Sequence, residues 1–274
     1  MPCPILPDGT LCWLPIPEFS GIKPRLPRYD ELTCGSHNLG DILRDLSKNR
    51  FVGSEAAHLD PDLAFDTRPR LKGWRPLFGQ AGAALRHLEN NGVGVGDIFL
   101  FFGWFRQTEQ TETGLRYVRN APDLHVIFGW MQVGEKTFLT PKYNSWPDWA
   151  RNHPHIQGSP YADLDAVFSA TSRLDINGRL QDLPGGGTFN NVREPLILTE
   201  KGKSRSNWLL PRAFCPRDRP PMTYHSDRSR WDCSQDDGVR IRVASRGQEF
   251  VVDLDYYPDI VSWITGTLFA PDNL

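Results

Sequence analysis

The sequence predicts an α+β fold: a mixed, mostly antiparallel and strongly curved sheet, or a partly open barrel, with a few flanking helices and long loops. Three observations carry that reading. Two apolar segments, residues 92–106 and 124–135, share the tripeptide Phe-Gly-Trp, at Phe102-Gly103-Trp104 and Phe128-Gly129-Trp130. Helical spacing of apolar residues is confined to short stretches. With 24 Gly and 23 Pro among 274 residues, the chain is built for turns rather than long helices.

The elements follow in order. Residues 1–35 are Pro-rich and read as irregular, with a turn at Pro7-Asp8-Gly9. Leu39, Ile42, Leu43 and Leu46 fall at helical spacing between His37 and Asn49. Residues 50–78 form a long connection containing His58-Leu59-Asp60-Pro61-Asp62, and connections of that length often carry function. A second helix places Ala81, Ala84, Leu85 and Leu88 on one face and stops at Asn91-Gly92. A Gly-Asp turn then feeds the apolar run Ile98–Phe105, whose continuity implies burial on both faces. Gly103 within it suggests a bulge or a close backbone approach. A short strand at Leu115–Val118 precedes the second aromatic segment, which should pair with the first as an antiparallel neighbour. Later strands are expected at Ala166–Ala170, Pro195–Thr199, Asn207–Leu210, Val239–Val243 and Glu249–Leu254, the last two joined through Ser245-Arg246-Gly247. Pro258 opens a final helix bearing Ile260, Val261 and Ile264. No linker is evident, so residues 1–274 read as one domain.

A net charge of −2 gives no global field for nucleic acid. The span Arg193–Arg246 nevertheless holds 12 Lys/Arg against 7 Asp/Glu, which suits either a phosphate-facing surface or a solvated mixed-charge one. Five cysteines without a CxxC spacing argue against a zinc knuckle or a disulfide framework, and fit a reducing cytoplasm. No signal peptide is read at the start, and the run Ile98–Phe105 is too short to span a bilayer, so no membrane partner is expected.

Phosphate-loop motifs are weak. Gly185-Gly186-Gly187 has neither usual spacing, and Gly202-Lys203-Ser204 lacks the upstream glycine, Ile197 standing there. His153-Pro154-His155 puts two imidazoles on one side of an extended segment. A metal would need a further ligand, from His225 or Asp227, or from His58 and Asp60; nothing in the sequence brings these together, so no metal is assigned and no cofactor is named. Acid–base chemistry could draw on His58, Asp60 and Asp62, or on His125 as a strand base, with a satisfied core histidine as the alternative. Cys34 and His37 gain no support as a nucleophile pair. The run Lys201–Trp208 mixes phosphate-binding side chains with an aromatic, or is a loop entering a strand.

The segments PILPDGTL, HLDPDL, FGQAGAALRHL, GVGVGDIFLFFGWFR, LHVIFGWMQVGE, HPH, GGGTF, YHSD and GQEFVVDLDYYP together resemble the third nucleotide-modification-associated domain family, from Pro4 to about Trp263, most specifically over Phe78–Glu135. The resemblance implies a link to systems that modify DNA bases or nucleotides. It also implies an extra strand and a short polar motif ahead of the PILPDG element, so that either the start is misassigned or this member lacks its first strand. The order helix, Gly-Asp, apolar strand, polar excursion, second strand is similar, at the level of topology, to PUA-like barrels, some of which read modified bases through an aromatic pocket. A base taken from its stack is held by aromatic stacking worth about 1–3 kcal/mol.

Three readings follow. As a binding module, the protein would hold a modified base or nucleotide, with Trp104 or Trp130 as stacking wall, Arg106, Arg205 and Ser206 at phosphate, and Gln80, Gln248 and Glu249 at base edges. As an enzyme, it would act on a nucleotide or DNA base with the polar set His58, Asp60, His125, His153, His155 and His225, together with Glu249. As a structural or partner-binding protein, it would have no small-molecule site. Convergence of three or more of the polar set in space would favour the enzyme. A nucleotide or nucleic acid is the expected partner; the oligomeric state is left open.

Overall fold

The structure is a computed structural model and describes residues 1–19, 25–140, 145–158, 164–244 and 249–270. Its centre is a curled, half-barrel sheet of seven strands. Strand β1 is Cys3–Ile5. Two small ribbons follow, β2 (Ile16–Glu18) with β5 (Ala56–His58), and β3 (Thr33–Cys34) with β4 (His37–Asn38). The main sheet continues with β6 (Leu77–Ala81), β7 (Ile98–Thr111), β8 (Gly114–Tyr117), β9 (Leu124–Phe138), β10 (Asp165–Ala170) and, after the ribbon β11 (Asp175–Ile176) and β12 (Arg179–Leu180), β13 (Gly186–Thr188). Its path is β1-β7-β9-β10-β6, with β8 added on β7 and β13 on β9. All pairs are antiparallel except β1 with β7. A separate sheet joins β14 (Asn207–Leu210), β15 (Trp231–Asp232) and β16 (Val239–Arg242).

The two aromatic segments pair as expected, Leu100 opposite Trp130 and Gly103 opposite Val126. The register shifts between Phe101 and Phe102, one residue ahead of Gly103. Gly103 itself meets the second expectation of a close approach: a Cβ there would lie 3.1 Å from the Phe105 ring. Gly129 is tighter, with Leu63 Cδ1 at 2.6 Å and the Gly187 carbonyl at 2.9 Å from a built Cβ. Phe105, Phe128, Met131 and Phe168 are buried in the core packed on this sheet.

The helices form where the periodicity places them. Helix α1 (Leu39–Leu46) is capped by Asn38, whose side chain accepts from the Gly40 and Asp41 N–H groups, and buries Leu39, Ile42 and Leu43. Helix α2 (Gly82–Asn90) buries Leu85 and Leu88 against β6 and β10 and ends at Gly92, with φ +72°. Helix α3 (Asp259–Trp263) runs into a π-turn over Ile264–Leu268.

Several expectations are corrected. Residues 1–35 are not wholly irregular, since β1 extends the main sheet in parallel with β7, Cys3 opposite Phe105. Pro195–Thr199 begins as a 3-10 turn, Glu194–Leu196, because Pro195 fixes φ and offers no ladder N–H; only isolated bridges follow at Ile197 and Thr199. Glu249–Leu254 forms no strand; β16 pairs instead with β14 and β15, and the 245–247 turn lies outside the described residues. Cys215 and Cys233 are joined in one disulfide, while Cys3, Cys12 and Cys34 are free thiols. Among the described residues no helix is long and apolar enough to cross a membrane.

Candidate functional site

A cluster of histidines and carboxylates gathers at the β6 edge of the main sheet. His58 ends β5, and the chain then turns through Leu59 to Asp60, whose peptide bond to Pro61 is cis. Asp60 Oδ1 accepts a hydrogen bond from the Gly79 N–H at 2.9 Å, which ties the connection to the middle of β6. His153 and His155 arrive on the turn after the 3-10 segment Asp148–Ala150, where the His153 N–H bonds the Ala150 carbonyl. The His155 ring lies flat against Gly79: a Cβ there would sit 2.2 Å from His155 Cδ2. Asp165, which opens β10 opposite Ala81, bonds His155 Nδ1 at 2.6 Å.

Asp60 is the hub. Its Oδ2 lies 3.2 Å from His155 Nε2 and 4.0 Å from His58 Nε2, and its Oδ1 lies 3.4 Å from His153 Nε2. His58 Nδ1 faces Glu18 Oε2 at 3.5 Å. The His153 side chain is 1% exposed, and neither of its ring nitrogens has a hydrogen-bond partner among the described residues. The His58 side chain is 25% exposed and forms the solvent side of the cluster. Burial opposes ionisation of Asp60, yet the imidazoles of His153 and His155 hold its pKa well below the usual carboxylate range. Burial likewise opposes protonation of His155, but the carboxylates of Asp165 and Asp60 outweigh it and raise the pKa to about 9. Such a group can bind a cation, hold a proton or pass one.

Asp62, two residues on, does not join. Both its oxygens bind the buried Arg70 guanidinium, at 2.8 and 2.6 Å, and Arg70 in turn lies 4.1 Å from the Trp74 ring.

His125 belongs to a second place, a cavity of about 470 Å³ lined by Phe102, His125, Lys203, Arg205, Ser206 and Phe250 among others. Its Nδ1 accepts from the Trp208 indole N–H at 3.0 Å, and burial, helped by Arg205, lowers its pKa to about 4. Arg205 lies over the Trp104 ring at 4.1 Å, so Trp104 backs a cation beside the cavity instead of forming its wall. Arg106 reaches the Val118 carbonyl and lies 3.8 Å from Asp123, another lining residue.

The remaining candidates are placed elsewhere. Trp130 is 3% exposed, packed between Phe189 and Phe269 with its indole N–H on the Pro184 carbonyl, so neither ring face is offered to a ligand. His225 is fully buried: Nδ1 donates to the Thr223 carbonyl, Nε2 accepts from the Ala244 N–H, and burial lowers its pKa. It is a neutral core histidine away from the cluster. Gln80 and Glu249 bond each other at 3.2 Å. Gln248 lies outside the described residues. Glu18, Gly79 and Asp165 were not among the sequence candidates, and the strand β6 that carries Gly79 was itself not read, its residues having been divided between the long connection and the second helix.

Fold and site together define an α+β protein with a buried His–Asp centre at one sheet edge and an aromatic, basic cavity at another place. The chain belongs to the family described as nucleotide modification associated domain 3, whose profile matches residues 1–253. No curated protein and no solved structure matches it. Family membership supports a role in nucleotide or DNA modification systems.

Proposed function

We propose that this protein is an enzyme acting on a nucleotide or a DNA base, with His58, Asp60, His153, His155 and Asp165 as its reactive centre. One observation carries the reading: four residues from the predicted polar set, separated by up to 97 positions, meet around one carboxylate with Asp165 behind them. A protein that only reads a base has no need to gather three imidazoles on an aspartate, because ionisable groups taken from water are costly unless their chemistry is used or their charges are matched. The reacting group would meet the centre on its His58 side, where it is open to solvent. In this reading residues 1–274 work as one cytoplasmic domain.

The test is incubation of the purified protein with nucleosides, nucleotides, and single- and double-stranded oligonucleotides carrying ordinary and hydroxymethylated bases, read by mass spectrometry. The expected result is a mass change in one substrate class, lost in Asp60→Asn and His155→Gln and retained in Cys34→Ser. No mass change in any class removes the enzymatic reading.

A binding module is the second reading, favoured by the cavity beside Phe102. Its aromatic Phe102 and Phe250 and basic Lys203 and Arg205 match a base and its phosphate. The PUA-like likeness belongs with this reading and rests on topology alone. Fluorescence titration with the same ligands, with Phe102→Ala and Arg205→Ala beside wild type, tests it; equal binding by all three sinks it.

A further inference from the structure

Resting on the reactive centre proposed above, we propose that His58, Asp60 and His155 bind one divalent first-row transition ion, through His58 Nε2, Asp60 Oδ2 and His155 Nε2.

The ligand atoms are already gathered. One donor atom from each residue lies within 4.8 Å of the others. A tetrahedral ion at 2.0–2.2 Å from its donors keeps them about 3.3 Å apart. The separations from Asp60 Oδ2 are 3.2 Å to His155 and 4.0 Å to His58, so the two contacts made by Asp60 are within an ångström of that spacing.

Each ligand is also held from behind in the manner of metal ligands. His155 Nδ1 is on Asp165 at 2.6 Å, and His58 Nδ1 faces Glu18 at 3.5 Å. A carboxylate on Nδ1 fixes the tautomer that presents the Nε2 lone pair to a metal and raises its basicity. Asp60 is held in the same way, since its other oxygen takes the Gly79 N–H. Two of the three ligands are therefore backed by carboxylates on other strands, and the third by backbone.

An independent observation points into the same space. The buried His153 side chain, with both ring nitrogens lacking a hydrogen-bond partner among the described residues, lies 3.4 Å from Asp60 Oδ1. A buried imidazole whose nearest polar contact is that long is poorly satisfied. A water bound to the ion would give it a closer partner. The charges agree: three carboxylates, Glu18, Asp60 and Asp165, surround the imidazoles, and a 2+ ion offsets them.

The donor set selects the ion. Two imidazoles and one carboxylate suit Zn²⁺ or Fe²⁺ and are poor for Mg²⁺ or Ca²⁺, which prefer all-oxygen shells. Three protein ligands leave at least one position for water or a substrate oxygen, which is the arrangement of catalytic rather than structural sites.

The experiment uses the full chain without a histidine tag, stripped with chelator and titrated with Co²⁺. One equivalent is expected, with visible d–d absorption that Zn²⁺ displaces and excess Mg²⁺ does not. Asp165→Asn should weaken Co²⁺ binding about 10–100-fold, as loss of a backing carboxylate does. His155→Ala should abolish the bands. His58→Ala, at the most exposed ligand, is the variant least costly to the fold; near-ultraviolet circular dichroism confirms its packing, and it too should lose the bands. Absence of a stoichiometric cobalt spectrum in wild type, an unchanged spectrum in folded His58→Ala, or displacement by Mg²⁺ each overturns the proposal. Cobalt bands without conversion of any substrate support the ion and remove the enzymatic reading. Full conversion by stripped protein without bands does the reverse.

Discussion

Gly79 is where the candidate centre is most sensitive to a single atom. The His155 ring occupies the space a side chain would take, and the Gly79 N–H holds Asp60. Gly79→Ala should push the His155 ring off Asp165 and cost about 1–3 kcal/mol, as overpacking does. Urea denaturation gives the stability, and loss of the cobalt bands gives the displacement. His125 offers a second prediction. Its pKa is about 4 in the fold and about 6.5 in an unfolded chain. Between those values the unfolded form binds a proton that the folded form refuses, so stability falls as the pH drops from about 6.5 towards 4. Denaturant midpoints across this range should show the fall, and His125→Asn should flatten it. A slope unchanged in the variant would mean that His125 is not the group responsible.

The elements differ in how far local patterns reveal them. Both helices with a marked apolar face and both aromatic strands formed where the sequence pattern put them, but only β9 is buried on both faces; β7 is half-buried from Ile98 to Trp104, where its unbroken apolar run implied burial on both sides. Glu249–Leu254 misled, since its alternation is that of a strand but β14 and β15 already occupy both sides of β16. Of the centre, His58, Asp60, His153 and His155 stood out as residue types. Their meeting was not legible: it depends on Gly79 accepting a ring and on β10 pairing with β6, both tertiary events. Asp165 looked like no more than a strand boundary. The two Phe-Gly-Trp copies also diverge in a way spacing cannot show. Trp130→Ala, in the core, should cost about 3–5 kcal/mol. Trp104→Ala should cost less, since its ring is only partly buried and backs the Arg205 guanidinium. Thermal denaturation of the two variants should order them so.

Across the whole molecule, the packed core reaches past the family match. The match ends at residue 253, yet Ile260, Ile264, Leu268 and Phe269 are buried in the same core cluster as β7 and β9. The Phe269 ring lies 5.2 Å from that of Trp130. A chain stopped after Asp253 would uncover that aromatic group. Losing one large buried side chain costs about 2–5 kcal/mol, and four are lost together, so the truncated protein should fail to show a cooperative unfolding transition by circular dichroism.

The bond between Asp60 and Gly79 has a consequence beyond any chemistry at the centre. Strand β6 is the last in its sheet, and the N–H groups of Leu77, Gly79 and Ala81 all point away from β10. Each is already taken, by the Asp62 carbonyl, the Asp60 carboxylate and the Gln80 side chain. An open edge of that kind would be a template on which a second chain could add a strand. The loop that carries the aspartate therefore also finishes the sheet, and the hub of the candidate centre doubles as a cover for its edge.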